Sequence, residues 1–222
     1  MFKSWLNLFL QSDCPLCQRS TPSTLCEYCI KQLQTCRLQN PSYLWQQPLP
    51  VFAWGMYGGS LKRAIATMKY DNQPAIAQIL GQFLGEAWLL SSPSPQQQVT
   101  VVPIPIHPHK LKERGFNQAE LIAVSFCATT GLKLKVNGLE RRKATKAQFG
   151  LSASARQENL ADAFALGADF HRRHPNTPVL LVDDIYTSGA TAKSAISTLQ
   201  HSKIAVLGLA AVASAHQVAG KK

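Results

Sequence analysis

Beyond residue 50, short apolar runs alternate with longer segments that mix apolar and polar positions. The apolar runs predict buried strands at residues 51–57, 100–105, 178–184 and 204–211. The mixed segments predict helices at residues 60–70, 74–90, 117–129 and 190–201. Alternation of this kind argues for a parallel sheet with helices on both faces, so we predict an α/β fold.

The start of the chain has a different composition, dominated by cysteine. Four of the six cysteines follow the spacing Cys-x2-Cys-x8-Cys-x2-Cys, namely Cys14, Cys17, Cys26 and Cys29. The first ten residues lack the length and the cleavage site of a secretory signal, which favours a reducing compartment and disfavours disulfides. Two such pairs can place four thiolates around Zn²⁺, and four cysteine ligands make a structural rather than a catalytic site. Redox-active cysteines are the alternative, although nothing resembles a thioredoxin context.

A linker follows the cysteines. Residues 41–50 combine several prolines with polar residues, a composition that suits a boundary crossed by few contacts. We therefore predict a four-cysteine zinc-finger module at residues 1–40, a linker at 41–50, a main domain at 51–216 and a basic tail at 217–222.

The chain is strongly basic, with 23 Lys and Arg against 12 Asp and Glu and a formal net charge of +11. Such a charge attracts anionic partners, and it fits nucleic acid as well as a small polyphosphate. Solvated charge on an exposed face is the alternative for each basic cluster. No stretch approaches the roughly 20 consecutive apolar residues that cross a bilayer, so we expect a cytoplasmic protein. The short apolar run at residues 1–10 can dock on the protein or contact the inner face of the membrane.

The most informative segment ends the apolar run at 178–184 and continues into a glycine turn. Gly189 allows a tight turn and a close approach to a ligand, and the helix that begins near Ala190 offers unpaired N–H groups and a positive dipole end to an anion. Hydroxyl groups surround the same point. We predict that a phosphate is bound by Tyr186, Thr187, Ser188, Gly189, Ala190 and Thr191.

Two acids, Asp183 and Asp184, stand directly before this anion site. Carboxylates would repel a phosphate, so they need another partner, and the hydroxyls of a ribose or a Mg²⁺ ion meet that need. A ribose 5-phosphate satisfies both halves of the segment. The alternative is that the acids and the Ser-Gly pair only cap a helix after a strand. A Walker-type nucleotide loop is excluded, because no Gly-Lys-Ser/Thr follows the strand.

This segment resembles the phosphoribosyl diphosphate-binding motif of type I phosphoribosyltransferases. Other runs extend the resemblance to the ComF/GntX family: the four-cysteine start, Met68-Lys69-Tyr70, and residues 102–108, 114–121, 142–148, 156–159 and 163–164. The resemblance covers almost the whole chain. It implies a parallel-sheet type I phosphoribosyltransferase fold with a small N-terminal zinc-knuckle module. It also implies a role in natural competence, in which single-stranded DNA and proteins of the competence machinery would be partners.

In this fold class the diphosphate lies against a loop after an early strand, and residues 103–107, which include Pro105, occupy that place here. Because prolines lack an N–H donor, cations must supply the remaining contacts, and the candidates are Lys69, Lys112 and Arg114. Exposure to solvent without a ligand is the alternative for Lys112 and Arg114.

Residues 141–156 correspond, by the same resemblance, to the hood that closes over bound ligand. A closed hood excludes water from the reacting centre. The residues expected to face the ligand are Thr145, Gln148 and Arg156. A simple surface loop is the alternative for this segment.

The sequence leaves catalysis open. An enzyme of this type would displace diphosphate from ribose C1 at Asp183 and Asp184, while Mg²⁺ neutralises the leaving group. His107 and His109 are conceivable general bases, but both stand beside prolines and neither is clearly indicated. The acceptor and the oligomeric state therefore stay unassigned. The alternatives are a non-catalytic factor that binds single-stranded DNA with a repurposed phosphate site, and a transferase for an acceptor unrelated to DNA.

Overall fold

The structure is a computed structural model that describes residues 12–46, 48–142 and 163–216 of the 222-residue chain. In chain order these residues form β1 (Ser12–Asp13), β2 (Ser20–Thr21), α1 (Glu27–Gln34), β3 (Val51–Met56), α2 (Gly59–Tyr70), α3 (Ala75–Ser91), β4 (Thr100–Pro103), α4 (Pro108–Arg114), α5 (Gln118–Thr130), β5 (Lys133–Leu134), β6 (Leu139–Arg141), β7 (Phe164–Leu166), α6 (Ala168–His171), β8 (Val179–Tyr186), α7 (Ala190–His201) and β9 (Val206–Ser214). The four predicted strands and four predicted helices are present, with ends shifted by a few residues. None of the helices formed by these residues is both long and apolar enough to cross a bilayer.

Five strands form the central sheet in the order β3-β9-β8-β4-β5, and every neighbouring pair is parallel. β8 is the middle strand, and its first four residues are fully buried, as expected of a strand covered on both faces. Because side chains alternate along a strand, Leu180 and Val182 enter one apolar core while Val179 and Leu181 enter another. The predicted parallel α/β sheet is confirmed.

Helices cover both faces of this sheet. α2, α3 and α5 build the first core with residues such as Leu61 and Phe126, whereas α7 contributes Leu199 to the second. α3 and α5 approach so closely that a Cβ at Gly81 would stand 2.4 Å from the backbone oxygen of Ile122. This close packing fixes α5, and with it the polar residues at the start of that helix.

The cysteine segment forms a small unit on the first core. β1 and β2 pair antiparallel, α1 follows them, and the side chains of Leu16 and Leu33 are buried in the same cluster as Trp54 of β3. The chain then runs beside β3, where the backbone N–H of Leu38 donates to the carbonyl of Trp54 at 2.9 Å. The small N-terminal module of the predicted fold is thus present, while its exact limits and the linker at 41–50 stay predictions.

Candidate functional site

The acid pair lies within β8, because this strand continues to Tyr186. Successive strand residues point to opposite faces of the sheet. Asp184 therefore lies on the side of the first core, where it is buried, and Asp183 lies on the side of the second core, where it keeps some exposure. One strand end carries two neighbouring carboxylates in different surroundings.

Asp184 is the centre of a chain of polar contacts between three segments. Its carboxylate forms an ion pair with Nζ of Lys69 and accepts a hydrogen bond of 3.2 Å from Nε2 of Gln118. Nη1 of Arg114 donates in turn to Oε1 of Gln118. We call Lys69, Arg114, Gln118 and Asp184 the Asp184 network. Because Asp184 is only 4% exposed, the ion pair offsets the cost of burying its charge.

Local sequence signals bring the network residues together. Gly115 adopts the left-handed conformation, with a φ of 84°, and ends α4 directly after Arg114. The side-chain oxygen of Asn117 then caps α5, while its Nδ2 donates at 3.2 Å to a carbonyl just beyond β4. The run Arg-Gly-Phe-Asn-Gln therefore ends α4 and begins α5, and the Asn117 hydrogen bond joins it to the sheet. This arrangement directs Arg114 and Gln118 towards Asp184.

Asp183 has a different environment from its neighbour. Its Oδ1 accepts a hydrogen bond of 2.8 Å from the backbone N–H of Asp184. Burial and the adjacent Asp184 carboxylate raise the pKa of Asp183 well above its usual value, and they outweigh the opposing effects of that hydrogen bond and of Lys69. The protein thus holds a carboxyl group whose charge a cation or a hydroxyl donor would stabilise.

A stability difference that depends on pH follows from this raised pKa. An acid with a higher pKa in the folded state binds more protons there, so its contribution to stability falls as pH rises from about 4, the unfolded value, through the folded value. We expect Asp183→Asn to raise the thermal midpoint of the ligand-free protein by several degrees at about pH 8, and this gain should vanish towards about pH 4. Calorimetry of both proteins across this range checks it, and a gain that does not change with pH would contradict it.

The predicted phosphate residues form a strand end, a turn and a helix start. Gly189 has a φ of 75° and is the cap residue of α7. A Cβ at Gly189 would also stand 2.9 Å from Cε2 of Tyr186, so the turn requires glycine on both counts. Exposed or partly exposed hydroxyls here belong to Thr187, Ser188 and Thr191. The structure brings all six predicted residues to the N-terminus of α7, and their binding of phosphate stays a prediction.

Residues that the sequence analysis did not single out support this turn. Nε2 of His216 donates to the carbonyl of Thr187, and its ring lies 5.0 Å from that of Tyr186. The hydroxyl of Tyr43 donates to the carbonyl of His216 at 2.6 Å, across 173 positions of sequence. No local pattern indicates a contact over such a separation, so only the fold reveals it.

The other predicted ligand residues are placed unevenly. Pro105 follows β4, whose end pairs with β8, so it lies at the same edge of the sheet as the acid pair. Lys69 and Arg114 reach this edge as members of the Asp184 network. Nδ1 of His107 accepts the backbone N–H of His109 at 3.2 Å and so caps α4, which is a structural role. Outside the described residues lie the predicted hood residues Thr145, Gln148 and Arg156.

The cysteine cluster is a second candidate site. The sulfur atoms of Cys14, Cys17, Cys26 and Cys29 all lie within 4.8 Å of one another. Four sulfurs at about 2.3 Å from a tetrahedral zinc ion stand about 3.8 Å apart, so the cluster fits this ion. Donation from the backbone N–H of Cys29 lowers the pKa of Cys26 to about 7, whereas burial raises the pKa of Cys29 itself, so the two thiols differ in how readily they give the thiolate that a metal requires. The cluster can therefore hold a metal ion such as zinc.

Known proteins similar to this chain include two whose names refer to competence and to DNA utilization. Competence protein F of Haemophilus influenzae is 30% identical over 210 residues, which cover 89% of this chain and 89% of that protein. DNA utilization protein YhgH of Salmonella typhimurium is 29% identical over 184 residues, which cover 81% of this chain and 74% of that protein. No protein-family model matches the chain.

Solved structures similar to the chain include phosphoribosyltransferases. One is adenine phosphoribosyltransferase from Leishmania donovani, which is 13% identical, with 85% of this chain and 68% of that chain covered and a TM-score of 0.40. A TM-score of this size does not establish a common fold, so the fold class given above rests on strand order and direction.

Proposed function

The chain belongs to the ComF family of competence proteins, and we propose that it binds phosphoribosyl diphosphate together with Mg²⁺ at the carboxyl edge of its sheet. One observation supports this proposal most strongly: the acid pair of β8 leads within a few residues to a left-handed Gly189 at the start of α7. A helix start attracts the 5-phosphate, and the carboxylates accept hydrogen bonds from the ribose hydroxyls.

Each part of the ligand has a proposed partner. The amides and hydroxyls from Thr187 to Thr191 hold the phosphate, and Asp183, whose pKa is raised by burial and by the Asp184 carboxylate, faces the ribose or the cation. Mg²⁺, when bound, neutralises the diphosphate leaving group. Lys69 and Arg114 remain our proposed diphosphate contacts. Because both side chains belong to the Asp184 network, their charged groups already lie near the acid pair.

We further propose that the protein acts in DNA uptake. The two relatives bear names that refer to competence and to DNA utilization, and the net charge of +11 favours an anionic partner. Two functional classes fit this role: a phosphoribosyltransferase with an acceptor to be identified, and a factor that binds its ligand and DNA without turnover. A transferase unrelated to DNA is the third possibility, which the names of the relatives disfavour.

Calorimetric titration of phosphoribosyl diphosphate with Mg²⁺ tests the proposed site. We expect Asp183→Asn to weaken binding about 10- to 150-fold, because each hydrogen bond to a charged group contributes roughly 1.5–3 kcal/mol. The variant should at the same time be more stable than the wild type at about pH 8, so unfolding cannot explain the loss.

Asp169→Asn is a matched control, since Asp169 is paired with Lys135 in a different part of the fold. It should leave the affinity unchanged. If a folded wild-type protein with intact zinc does not bind the ligand, the phosphoribosyl proposal fails and DNA binding without this ligand becomes the leading function. Equal binding by wild type and Asp183→Asn would remove Asp183 from the site.

A further inference from the structure

Tyr70, the last residue of α2, is the most exposed large apolar side chain in the described part of the chain, at 77%. It directly follows Lys69, which turns inward to Asp184. The end of one helix thus places a cation inside the candidate site and an aromatic ring in solvent beside it. A ring with this exposure keeps a large apolar surface accessible to a ligand.

Arg114 connects this ring to the acid pair. Its guanidinium carbon lies 5.8 Å from the centroid of the Tyr70 ring, within the roughly 6 Å over which a cation is attracted to an aromatic face. The same guanidinium donates to Gln118 in the Asp184 network. The ring therefore lies beside the Asp184 network, while most of it stays accessible to a ligand.

Helix α4 reaches Tyr70 through Arg114, and none of the residues of this helix is buried. Lys110 and Leu111 stand four and three positions before Arg114, so they lie on the same face of the helix. Leu111 is 44% exposed. The surface thus offers an aromatic ring, an apolar side chain and a cation, and a nucleotide presents the matching groups, a planar base and a phosphate.

We propose that Tyr70, with Arg114 against its ring, stacks the base of a nucleotide whose phosphate binds Lys110. This inference deepens the proposed function and rests on it, because it names a nucleobase as the second ligand beside phosphoribosyl diphosphate. Phe52 and Trp54 are buried in the first core, so neither can serve as such a stacking surface. Stacking tolerates every base, so a free nucleotide and a base in single-stranded DNA share the required chemistry.

Fluorescence anisotropy with a labelled thymidine oligonucleotide of about 12 nucleotides tests the stacking. Tyr70→Ala should weaken binding about 5- to 150-fold, the range for loss of one stacked base, while Tyr70→Phe should stay within about twofold because it keeps the ring. The matched control is Tyr28→Ala. Tyr28 is 50% exposed and has the guanidinium of Arg19 at 4.3 Å from its ring, but it belongs to α1 of the cysteine module.

Two further probes identify the source of the base. An abasic oligonucleotide of equal length keeps the phosphates, and Tyr70→Ala should bind it as the wild type does. Thymidine monophosphate, used as a competitor, measures binding of a free nucleotide. Tyr70→Ala should weaken the binding of one of the two base-carrying probes more strongly, and that probe shows whether the base comes from a free nucleotide or from single-stranded DNA. The proposal is overturned if Tyr70→Ala binds both base-carrying probes normally, if it loses the abasic strand equally, or if Tyr28→Ala shows the same loss.

Titration of phosphoribosyl diphosphate with Mg²⁺ into Tyr70→Ala separates this proposal from the proposed function. The exposed side chain should be dispensable for folding and for that ligand, so we expect the wild-type affinity. If the wild type itself fails to bind the diphosphate, the proposed function fails and the oligonucleotide test still decides the stacking. If Tyr70→Ala loses the diphosphate as well as the oligonucleotide, Tyr70 belongs to the diphosphate site and the stacking proposal is overturned.

Discussion

Cys14→Ser is expected to abolish zinc binding and to unfold the cysteine module at residues 12–34. Cys14 is fully buried, and its sulfur is one of the four in the cluster. A structural zinc ion contributes about 10–16 kcal/mol of coupled folding free energy in small zinc modules, which a site with three thiolates does not recover. Zinc content by elemental analysis and the thermal midpoint by calorimetry measure the two losses.

Loss of zinc should also destabilise the main domain. Leu16 and Leu33 are buried in the same core as Trp54, and burial of each leucine contributes about 1.5–3 kcal/mol. If the module unfolds, the first core loses these two leucine side chains, and the part of the core around Trp54 becomes exposed to solvent. We therefore expect chelation of zinc from the wild type to lower the midpoint of the whole protein, rather than to add a separate early transition.

Cys36→Ser is the matched control for this prediction. The sulfur of Cys36 lies 3.3 Å from Oγ of Ser60, and Cys36 is not one of the four clustered cysteines. This variant should keep both the zinc content and the midpoint of the wild type. A Cys14→Ser protein with full zinc and an unchanged midpoint would show that the cluster does not hold a structural metal.

Structural features that depend only on residues close together in the sequence could be predicted without the fold. The cysteine spacing indicates the cluster, and the run from Asp183 to Gly189 indicates a strand, a turn and a helix start, because each residue acts through its immediate neighbours. Even here the sequence misplaces one boundary. The predicted strand ends at Asp184, whereas β8 continues to Tyr186 because its pairing with β9 extends as far as Ser214.

Contacts between distant segments could not be predicted from the sequence. The hydrogen bond from Gln118 to Asp184 joins residues 66 positions apart, and nothing near Gln118 indicates a buried carboxylate as its partner. The sequence predicts Lys69 at the diphosphate, which stays a prediction, but it could not show that the ammonium group of Lys69 pairs with Asp184. Helix α4 was not predicted either, since a helix without buried residues carries no apolar periodicity.

The alternation of side chains along β8 gives the acid pair two different roles. Asp184 enters the first core, where the ion pair and Gln118 compensate its charge, so it organises the residues around it. Asp183 faces the other side, where burial and its neighbour raise its pKa. We therefore expect Asp183 to be the carboxyl group that contacts the ligand, so its replacement should affect binding more than folding.

Lys69→Met is expected to lower the free energy of unfolding by about 3–5 kcal/mol, the cost of leaving a buried charge without its partner. The side chain of Lys69 is 15% exposed and that of Asp184 is 5% exposed, so water compensates little of the loss. Chemical denaturation with urea measures the difference. Lys62→Met is the matched control, because Lys62 lies on the exposed face of the same helix and should change stability by less than about 0.5 kcal/mol.

The double variant Lys69→Met/Asp184→Asn decides whether the loss comes from the ion pair. Removing both charges takes away the uncompensated carboxylate, so the double variant should be more stable than Lys69→Met alone, with a coupling energy of about 1–3 kcal/mol. Additive effects would show that the two side chains do not interact in solution. In that case Lys69 would act only as a proposed diphosphate contact, and Lys69→Met should weaken phosphoribosyl diphosphate binding in the same titration without lowering stability.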